Sequence, residues 1–205
     1  MGFVSDIISK FSGNKEEKFW NWIIENKERL ENLKSEPLQL MQEISPALKK
    51  YNKSITLEVG CNKNNKIDLI ISADGVKDFF PIVEKLTSVA PELDNWNIIA
   101  FRPRRTLENK INLSGIDFDP CEIKLKVNCS DNAFDIDIYH PDLTETNFAL
   151  IASGCFILLD IALGEYNVAK KVRYIDFKKL PEKYDNLELI AFTGLAEAFD
   201  NFYQS

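Results

Sequence analysis

One succession of patterns occurs twice in this chain and constrains its fold more than any other feature. Apolar residues alternate along 55–61 and again along 67–71, on either side of a polar turn, which predicts a β-hairpin. A helical pattern follows over 75–89, and the almost wholly apolar segment 96–102 is typical of a strand that is covered on both faces. The same succession of hairpin, helix and strand recurs over residues 121–129, 134–139, 142–163 and 171–177.

This order predicts an α+β fold in which two ββαβ-like units form mixed β-sheet. A strand–helix–strand connection makes its two strands parallel, whereas each hairpin adds an antiparallel neighbour. Helical spacing of apolar residues predicts an N-terminal helical layer and a C-terminal helix. The two units share little identity, so they form an internal repeat of pattern. We expect a single domain, 1–205, with N-terminal helices over 1–53, ββαβ units over 54–105 and 121–178, and a C-terminal segment over 185–205.

The predicted helix over 142–163 contains an apolar run from Phe148 to Leu159. Because a bilayer-spanning helix needs about 20 apolar residues, this run predicts a buried helix and not a membrane span. A helix that is apolar on every side is buried on every side. We therefore expect the sheet to cover one side of this helix and the N-terminal helices, predicted over 3–11, 15–33 and 37–51, to cover the other.

Composition and charge exclude several chemistries. The 205 residues carry a net charge of −7, which disfavours binding to nucleic acid and suits a basic protein partner. His140 is the only histidine, so no site within one chain can use two histidine ligands. The two common glycine-rich nucleotide loops do not occur, and we expect no cofactor, no metal and no membrane contact. Three cysteines follow the apolar phase of their strands, which predicts reduced thiols in the core of a cytoplasmic protein: Cys61, Cys121 and Cys129.

The segment "FRPRR" (101–105) holds three of the five arginines of the chain: Arg102, Arg104 and Arg105. Guanidinium groups bind carboxylates and phosphates through paired hydrogen bonds, so this loop is a candidate anion-binding or partner-binding site. The alternatives are solvation of the loop or internal pairing with acids that are near in sequence, namely Asp94, Asp117 and Asp119.

Asp74 stands between a predicted strand and a predicted helix, beside Gly75. Its simpler interpretation is a helix cap that accepts hydrogen bonds from free helical N–H groups. Its functional interpretation is a catalytic carboxylate at the carboxyl end of a strand, where ligands of α/β sheets bind. Because the strand 96–102 should run parallel to the one before Asp74, we expect Asp74 and the arginine loop to open at the same sheet edge.

Two other residues are weak candidates for acid–base chemistry. His140 lies beside Asp142 in "YHPD", where it could act as a general base or be a half-exposed histidine in a strand–helix turn. Glu165 follows Gly164, a good helix C-cap, and is either a catalytic acid or a surface residue.

Four aspartates stand in two closely spaced pairs that resemble divalent-cation ligands: Asp117, Asp119, Asp135 and Asp137. Alignment of the apolar positions of the second hairpin places Lys126 opposite Asp135 and Lys124 opposite Asp137. Such a register predicts a solvent-facing ladder of opposite charges, which argues against a metal site.

Three segments together resemble a family of small, uncharacterised bacterial cytoplasmic proteins: "FWNWIIENKERL" (19–30), "ISADGVKDFFPIVEKLTSVAPELDNWNIIAFRPRR" (71–105) and "LGEYNVAKKVRYIDFKKLP" (163–181). The resemblance covers most of the chain and implies a bacterial cytosolic protein, but no established activity. It draws attention to Asp74 and the arginine loop, which lie in its central segment.

The sequence therefore predicts a non-enzymatic cytosolic binding or regulatory protein whose partner is another protein or a second copy. A narrower form of this prediction is an immunity-type protein that masks a basic partner. The alternative is a small enzyme or binding protein for a phosphate or carboxylate ligand. In that case the arginine loop would hold the anion, Asp74, His140 or Glu165 would serve as acid or base, and all of these groups would have to converge in one cleft.

Overall fold

The computed structural model describes residues 14–107, 109–130 and 133–204, which adopt an α+β fold with mixed β-sheets and a C-terminal helix, as predicted. The predicted helix over 3–11 lies outside the described residues. The chain divides into two compact units, Met1–Phe101 and Arg102–Ser205. Each unit contains its own hairpin, helix and parallel strand, and the expectation of a single domain stays a prediction.

From residue 14 onward, the first unit has three helices before its sheet: α1 (Lys15–Glu25), α2 (Lys27–Glu31) and α3 (Pro37–Tyr51). The Asn14 side chain caps α1 by accepting the Glu17 N–H, as expected for Asn at this position. One continuous helix was expected over 15–33, but it is interrupted at Asn26. The Asn26 side-chain amide donates to the Trp22 carbonyl, an example of how Asn competes with regular helix bonding.

The first sheet has the order β1-β2-β3, made of β1 (Thr56–Cys61), β2 (Ile67–Ser72) and β3 (Trp96–Ala100). β1 and β2 pair antiparallel, and β2 and β3 pair parallel, which confirms the predicted mixed sheet. The connection between β2 and β3 carries α4 (Phe80–Ser88). This helix was expected to start at residue 75, but a 3₁₀ turn, Lys77–Phe79, precedes it.

The second unit opens with a small hairpin, β4 (Ile111–Leu113) and β5 (Ile116–Phe118), that the sequence reading missed. Ser114 and Gly115 connect the strands with φ angles of 50° and 87°, as a tight primed turn requires. The dipeptide Ser-Gly between two short alternating segments was the available signal.

The rest of the second unit consists of β6 (Lys124–Ser130), β7 (Ala133–His140), α5 (Phe148–Leu163), α6 (Glu165–Lys171), β8 (Val172–Lys179), β9 (Ile190–Ala191) and α7 (Leu195–Gln204). Its sheet has the order β8-β7-β6-β9, with β7 and β8 parallel and the other pairs antiparallel. The long helix α5, which leads from β7 toward β8, runs to Gly164, where the short helix α6 begins at a sharp bend.

Helix α5 was expected to begin at residue 142, but it begins at Phe148. Residues 142–147 instead form a polar turn, in which the Asn147 side chain accepts the Thr144 N–H and donates to the Asp142 carbonyl. Pro141 is therefore outside the helix, and the side chains of Asn and Thr satisfy the backbone groups of the turn.

The expectation that α5 is buried on all sides is wrong. One face enters the core of the second unit through residues that include Ile151, Cys155 and Leu158. Apolar side chains elsewhere on the helix remain in part outside the core: Phe148 in its first turn is 48% exposed, Phe156 is 43% exposed and Ile157 is 42% exposed. The helix is apolar all round, but within the described residues only one of its faces is fully covered.

The four cysteines are free thiols in the structure. The prediction that three strand cysteines lie in the core is wrong: Cys61 and Cys129 are exposed near the ends of their strands, and Cys121 is exposed in the turn before residue 124. Only Cys155 is buried, and burial raises the pKa of its thiol to about 12.

Candidate functional site

The backbone of the arginine loop is held against the junction of α5 and α6. The Arg105 N–H donates to the Ile161 carbonyl over 2.7 Å, and the Glu165 N–H donates to the Arg102 carbonyl over 3.0 Å. These bonds connect the loop to the end of α5 and the start of α6, so two of the segments that carry the family resemblance are in direct contact.

Arg102 and Arg104 form ion pairs inside the second unit. Arg102 Nη1 lies 3.5 Å from Asp160, and Arg104 Nη1 lies 2.8 and 2.9 Å from the two carboxylate oxygens of Asp200. The Arg104 guanidinium lowers the pKa of Asp200. Internal pairing was one of the expected alternatives, but the acids are not those near in sequence. An external anion at this loop would have to compete with Asp160 and Asp200.

Gly164 permits the close approach of the loop to the helix junction. Its φ of +81° and ψ of 143° are strained for any other residue, and a Cβ there would lie 3.1 Å from the Arg104 nitrogen. The glycine expected as a C-cap is therefore also the contact point for the arginine loop.

Glu165 is the residue whose environment differs most from expectation. A surface residue was the simpler interpretation, but its side chain is fully buried. Its carboxylate accepts the Arg102 N–H over 3.0 Å, while its own N–H donates to the Arg102 carbonyl. This reciprocal pair of bonds locks the loop to α6. No local pattern signals it, because the partner lies 63 residues earlier in the chain.

Asp74 is not the cap of a helix. Its φ is +50°, in the left-handed region, and the following 3₁₀ turn has Val76 at its N-cap. The Asp74 carboxylate accepts a hydrogen bond from the Thr56 hydroxyl over 3.1 Å, and its N–H donates to the Ser72 hydroxyl. Asp74 thus belongs to a turn at the end of β2 in the first unit. A shared cleft of Asp74 and the arginines stays a prediction.

His140 is buried, so the expectation of a half-exposed histidine is wrong. Its side chain is 1% exposed, and its ring packs edge-on against Phe118 with centroids 5.2 Å apart. Nδ1 accepts the Asp142 N–H, so the proton of the neutral ring resides on Nε2, which has no hydrogen-bond partner among the described residues. Burial lowers the pKa of His140. Asp142 opposes this shift, and the positive charge of Lys179 adds to it. The ring is therefore a neutral core residue at pH 7, and its role as a general base stays a prediction.

The predicted register of the second hairpin is wrong by two residues. Lys126 lies opposite Asp137, and Asn128 lies opposite Asp135, because Ser130 pairs with Ala133 and leaves only two residues between the strands. Two-residue connections are the commonest in hairpins. A shift of two keeps the apolar residues on the same face, so the faces were predicted correctly but the partners were not.

Asp117, Asp135 and Asp137 are engaged by basic side chains, and Asp119 accepts the Cys121 N–H. Arg173 of β8 holds Asp135 through two guanidinium hydrogen bonds and lowers its pKa, and Lys178 lies 2.8 Å from Asp137. In the other pair, Lys110 and Asn112 both bind Asp117. The described residues contain no group of three or more metal-ligating side chains.

A pocket of the first unit combines aromatic walls with a basic rim. It encloses about 210 Å³ between α1 and α3 and is lined by Lys15, Lys18, Phe19, Trp22, Ala47, Lys50 and Tyr51. The Tyr51 hydroxyl donates to Glu16, and burial and that carboxylate raise the Tyr51 pKa to about 12, so this wall is a fixed neutral phenol. The three lysines form no ion pair with the described acids. The sequence did not predict this pocket, because α1 and α3 are separate helices and only their packing against each other forms it.

The second unit carries a cluster of two exposed phenylalanines and one half-buried phenylalanine, which we call the aromatic face: Phe148, Phe156 and the half-buried Phe177. The ring of Phe177, on β8, lies 5.7 Å from that of Phe148 and 5.8 Å from that of Phe156, both on α5. Scattered single apolar residues are normal at protein surfaces, whereas contiguous exposed aromatics mark interaction sites. Phe148 and Phe156 stand eight residues apart on the apolar helix, a spacing that is visible in the sequence, but the sequence pattern predicted that both are buried.

Among the described residues, no single helix has the length and apolar composition to cross a membrane. The helices α5 and α6 satisfy these criteria only when they are taken together, and they are bent by 103° at Gly164. Comparisons with protein-family models, curated proteins and solved structures gave no match for this chain.

Proposed function

We propose that this protein is a non-enzymatic binding protein of the bacterial cytosol and that its partner is another protein. The observation that carries the proposal is the aromatic face, where two exposed phenylalanines flank a third on an edge strand. Aromatic side chains are enriched in the buried centres of protein–protein interfaces, where they bury large areas with little loss of side-chain entropy.

The internal use of the charged candidates supports binding over catalysis. Arg102 and Arg104 pair with Asp160 and Asp200, and Glu165 binds a backbone amide. A catalytic acid or base must reach its substrate within hydrogen-bond distance. Glu165 and His140 are both buried, so their described environments favour structural roles.

A narrower proposal is an immunity-type protein that masks a basic partner, and it is supported by the net charge of −7. Lys179 opposes the use of the aromatic face for that partner, because it follows Phe177 by two residues and therefore lies on the same side of strand β8. A basic partner would therefore bind at another surface. Its association would slow steeply with added salt, since steering by opposite charges is screened within about 10 Å at 0.1 M salt.

Pull-down from a native bacterial lysate at moderate salt tests the role of the aromatic face. We expect the wild-type chain to recover a stoichiometric protein, which includes a second copy of itself, and the variant Phe148→Asp/Phe156→Asp to lose it. Leu38→Asp is the matched control, because Leu38 is 72% exposed but outside the aromatic face. Recovery of no stoichiometric protein by the wild type, or equal recovery by the variant, would contradict the proposal.

A second candidate function, binding of an anionic ligand, is favoured by the lysine-rimmed pocket of the first unit. The aromatic walls can stack on a planar ring, and the lysines can hold a carboxylate or phosphate. Binding of an anion at the arginine loop, alone or as part of a small enzyme, stays a prediction. An anion there would compete with the internal acids Asp160 and Asp200.

A thermal-shift screen with 1-naphthoate, 1-naphthyl phosphate and inorganic phosphate tests this candidate, since a ligand of the native state raises its unfolding temperature. We expect the aromatic anions to stabilise the wild type and to quench Trp22 fluorescence. The variant Lys18→Glu/Lys50→Glu should bind at least about tenfold more weakly, because two attractive charges become repulsive. Lys66→Glu, an exposed lysine outside the pocket, should bind like the wild type. Equal shifts for both variants would place the anion elsewhere.

A further inference from the structure

We propose that the partner of the aromatic face is a second copy of this chain, and that the two copies join by antiparallel pairing of their β8 strands with Phe177 at the centre. This inference rests on the proposed function, since it takes the aromatic face to be a protein-binding surface and names its occupant. It also predicts the register of the pairing.

Strand β8 offers an open edge for such pairing. It is eight residues long and terminal in the sheet, and no described strand pairs with its outer side. Exposed edges of this length are templates for another strand unless they are blocked. A second strand would continue the four-stranded sheet into the sheet of the other copy.

The amide of Phe177 is directed to this open edge. Its N–H donates to the carboxylate of the adjacent Asp176 over 3.0 Å and not to β7. The Leu180 N–H, three residues later, donates to His140 of β7. Successive amides of a strand point to opposite edges, so the Leu180 amide, which points to β7, and the Phe177 amide, three residues earlier, point to opposite edges. The Phe177 amide therefore points to the open edge. The Asp176 carboxylate occupies a position that a carbonyl of a neighbouring strand would take.

The charges on β8 select one symmetric register. In antiparallel pairing around a two-fold axis, the residues on either side of the central residue face each other. With Phe177 at the centre, Asp176 faces Lys178 of the second copy. By symmetry, Lys178 faces Asp176 of the second copy. An axis at Asp176 would oppose two like carboxylates, and an axis at Ile175 would place Asp176 opposite Tyr174. Opposite charges that face each other stabilise paired strands, and like charges destabilise them.

The same register brings the two aromatic faces together. Phe177 lies on the sheet face that α5 covers, since its ring contacts Phe148 and Phe156. When Phe177 meets Phe177 of the second copy, the exposed rings on the two α5 helices approach the joint from both sides. Burial of these rings supplies the apolar contribution that edge pairing alone lacks.

Sedimentation equilibrium of the full chain over a concentration series, with Asp176→Lys as the variant, tests the inference. In the single chain, lysine at this position loses the contacts of Asp176 with Lys178 and the Phe177 N–H, but it replaces the like-charge pair of Asp176 and Asp137 with an opposite-charge pair. The unfolding temperature of the single chain should therefore change little. In the dimer the new lysine faces Lys178 twice. We therefore expect a wild-type dimer and an at least about tenfold weaker association of Asp176→Lys. Glu197→Lys, with the same charge change on the exposed side of α7, should dimerise like the wild type.

Cross-linking determines the register. A carbodiimide joins a carboxylate to an amine in direct contact, and Asp176 also lies 3.5 Å from Lys178 of its own chain. Isotope-labelled and unlabelled chains are therefore mixed before the reaction. The proposed register predicts Asp176–Lys178 peptides that combine one labelled and one unlabelled chain.

Three results would overturn the inference. The first is a wild type that stays monomeric up to about 100 μM, since a specific complex is expected to associate below that concentration. The second is a dimer whose association is unchanged by Asp176→Lys, and the third is the absence of mixed-isotope Asp176–Lys178 peptides. A monomeric wild type that recovers a different protein through Phe148 and Phe156 would refute the second copy and leave the proposed function standing. A monomer that recovers no protein would refute both.

Discussion

Replacement of Gly154 by alanine is expected to destabilise the second unit by about 1–3 kcal/mol, the usual cost of an overpacked core. A Cβ at Gly154 would lie 2.6 Å from Cε2 of Phe118 and closer still to two other ring atoms. Phe118 is fully buried and its ring also contacts His140, so it has little room to move aside. Urea unfolding followed by circular dichroism measures the loss as a lower midpoint with an unchanged slope.

Two variants establish the cause of this loss. Gly60→Ala is the matched control, because a Cβ at Gly60 meets no atom within 4 Å and the substitution should change stability by less than about 0.5 kcal/mol. Phe118→Leu in the Gly154→Ala background should recover part of the loss, since it removes the clashing ring atoms. A double-mutant cycle without coupling between residues 118 and 154 would show that the clash is not the cause.

Replacement of Glu165 by alanine is expected to cost about 2–3 kcal/mol, because hydrogen bonds to charged groups contribute more than neutral ones and the loss leaves a partly buried donor without its acceptor. The donor is the Arg102 N–H, which donates over 3.0 Å to the fully buried Glu165 side chain. The arginine loop should loosen at the same time. Hydrogen exchange at the Arg102 amide measures this directly, as a loss of protection larger than the average of the second unit.

Glu165→Gln provides the control for charge and shape. Glutamine keeps an oxygen that can accept the Arg102 N–H, so its loss of stability and of amide protection should be smaller than that of alanine. Equal losses for the two variants would assign the effect to the charge of Glu165 and not to this hydrogen bond. Unchanged protection at Arg102 in Glu165→Ala would refute the role of Glu165 in holding the loop.

The order of elements was predictable because it depends on patterns that are local. The alternation of Ile67, Leu69 and Ile71 specifies a strand with one apolar face, and the strand–helix–strand order specifies a parallel neighbour. The mixed sheets of both units follow from these two rules. The small hairpin at Ser114-Gly115 obeys the same local rules and was within reach of the sequence.

The partners of the charged residues were not predictable, because ion pairs form between positions that only tertiary packing brings together. Arg104 meets Asp200, 96 residues later in the chain, although Asp94 and Asp117 are nearer in sequence. Asp135 and Asp137 are bound by Arg173 and Lys178 of the parallel strand β8 and not by the lysines expected within the hairpin. Charge carries no periodic signal that would identify such partners from sequence.

The α+β class, the longer strands and their apolar faces follow from local patterns, because side-chain periodicity and turn chemistry act over a few residues. Tertiary packing sets which side of α5 stays open, buries Glu165 and His140, and holds the arginine loop against the α5–α6 junction. These features depend on which distant segments fill the space around each residue. The local pattern of α5 is an apolar helix, and it does not specify that Phe148 and Phe156 stay exposed. The local pattern at Glu165 is a residue after a helix cap, and it does not specify that this residue is buried.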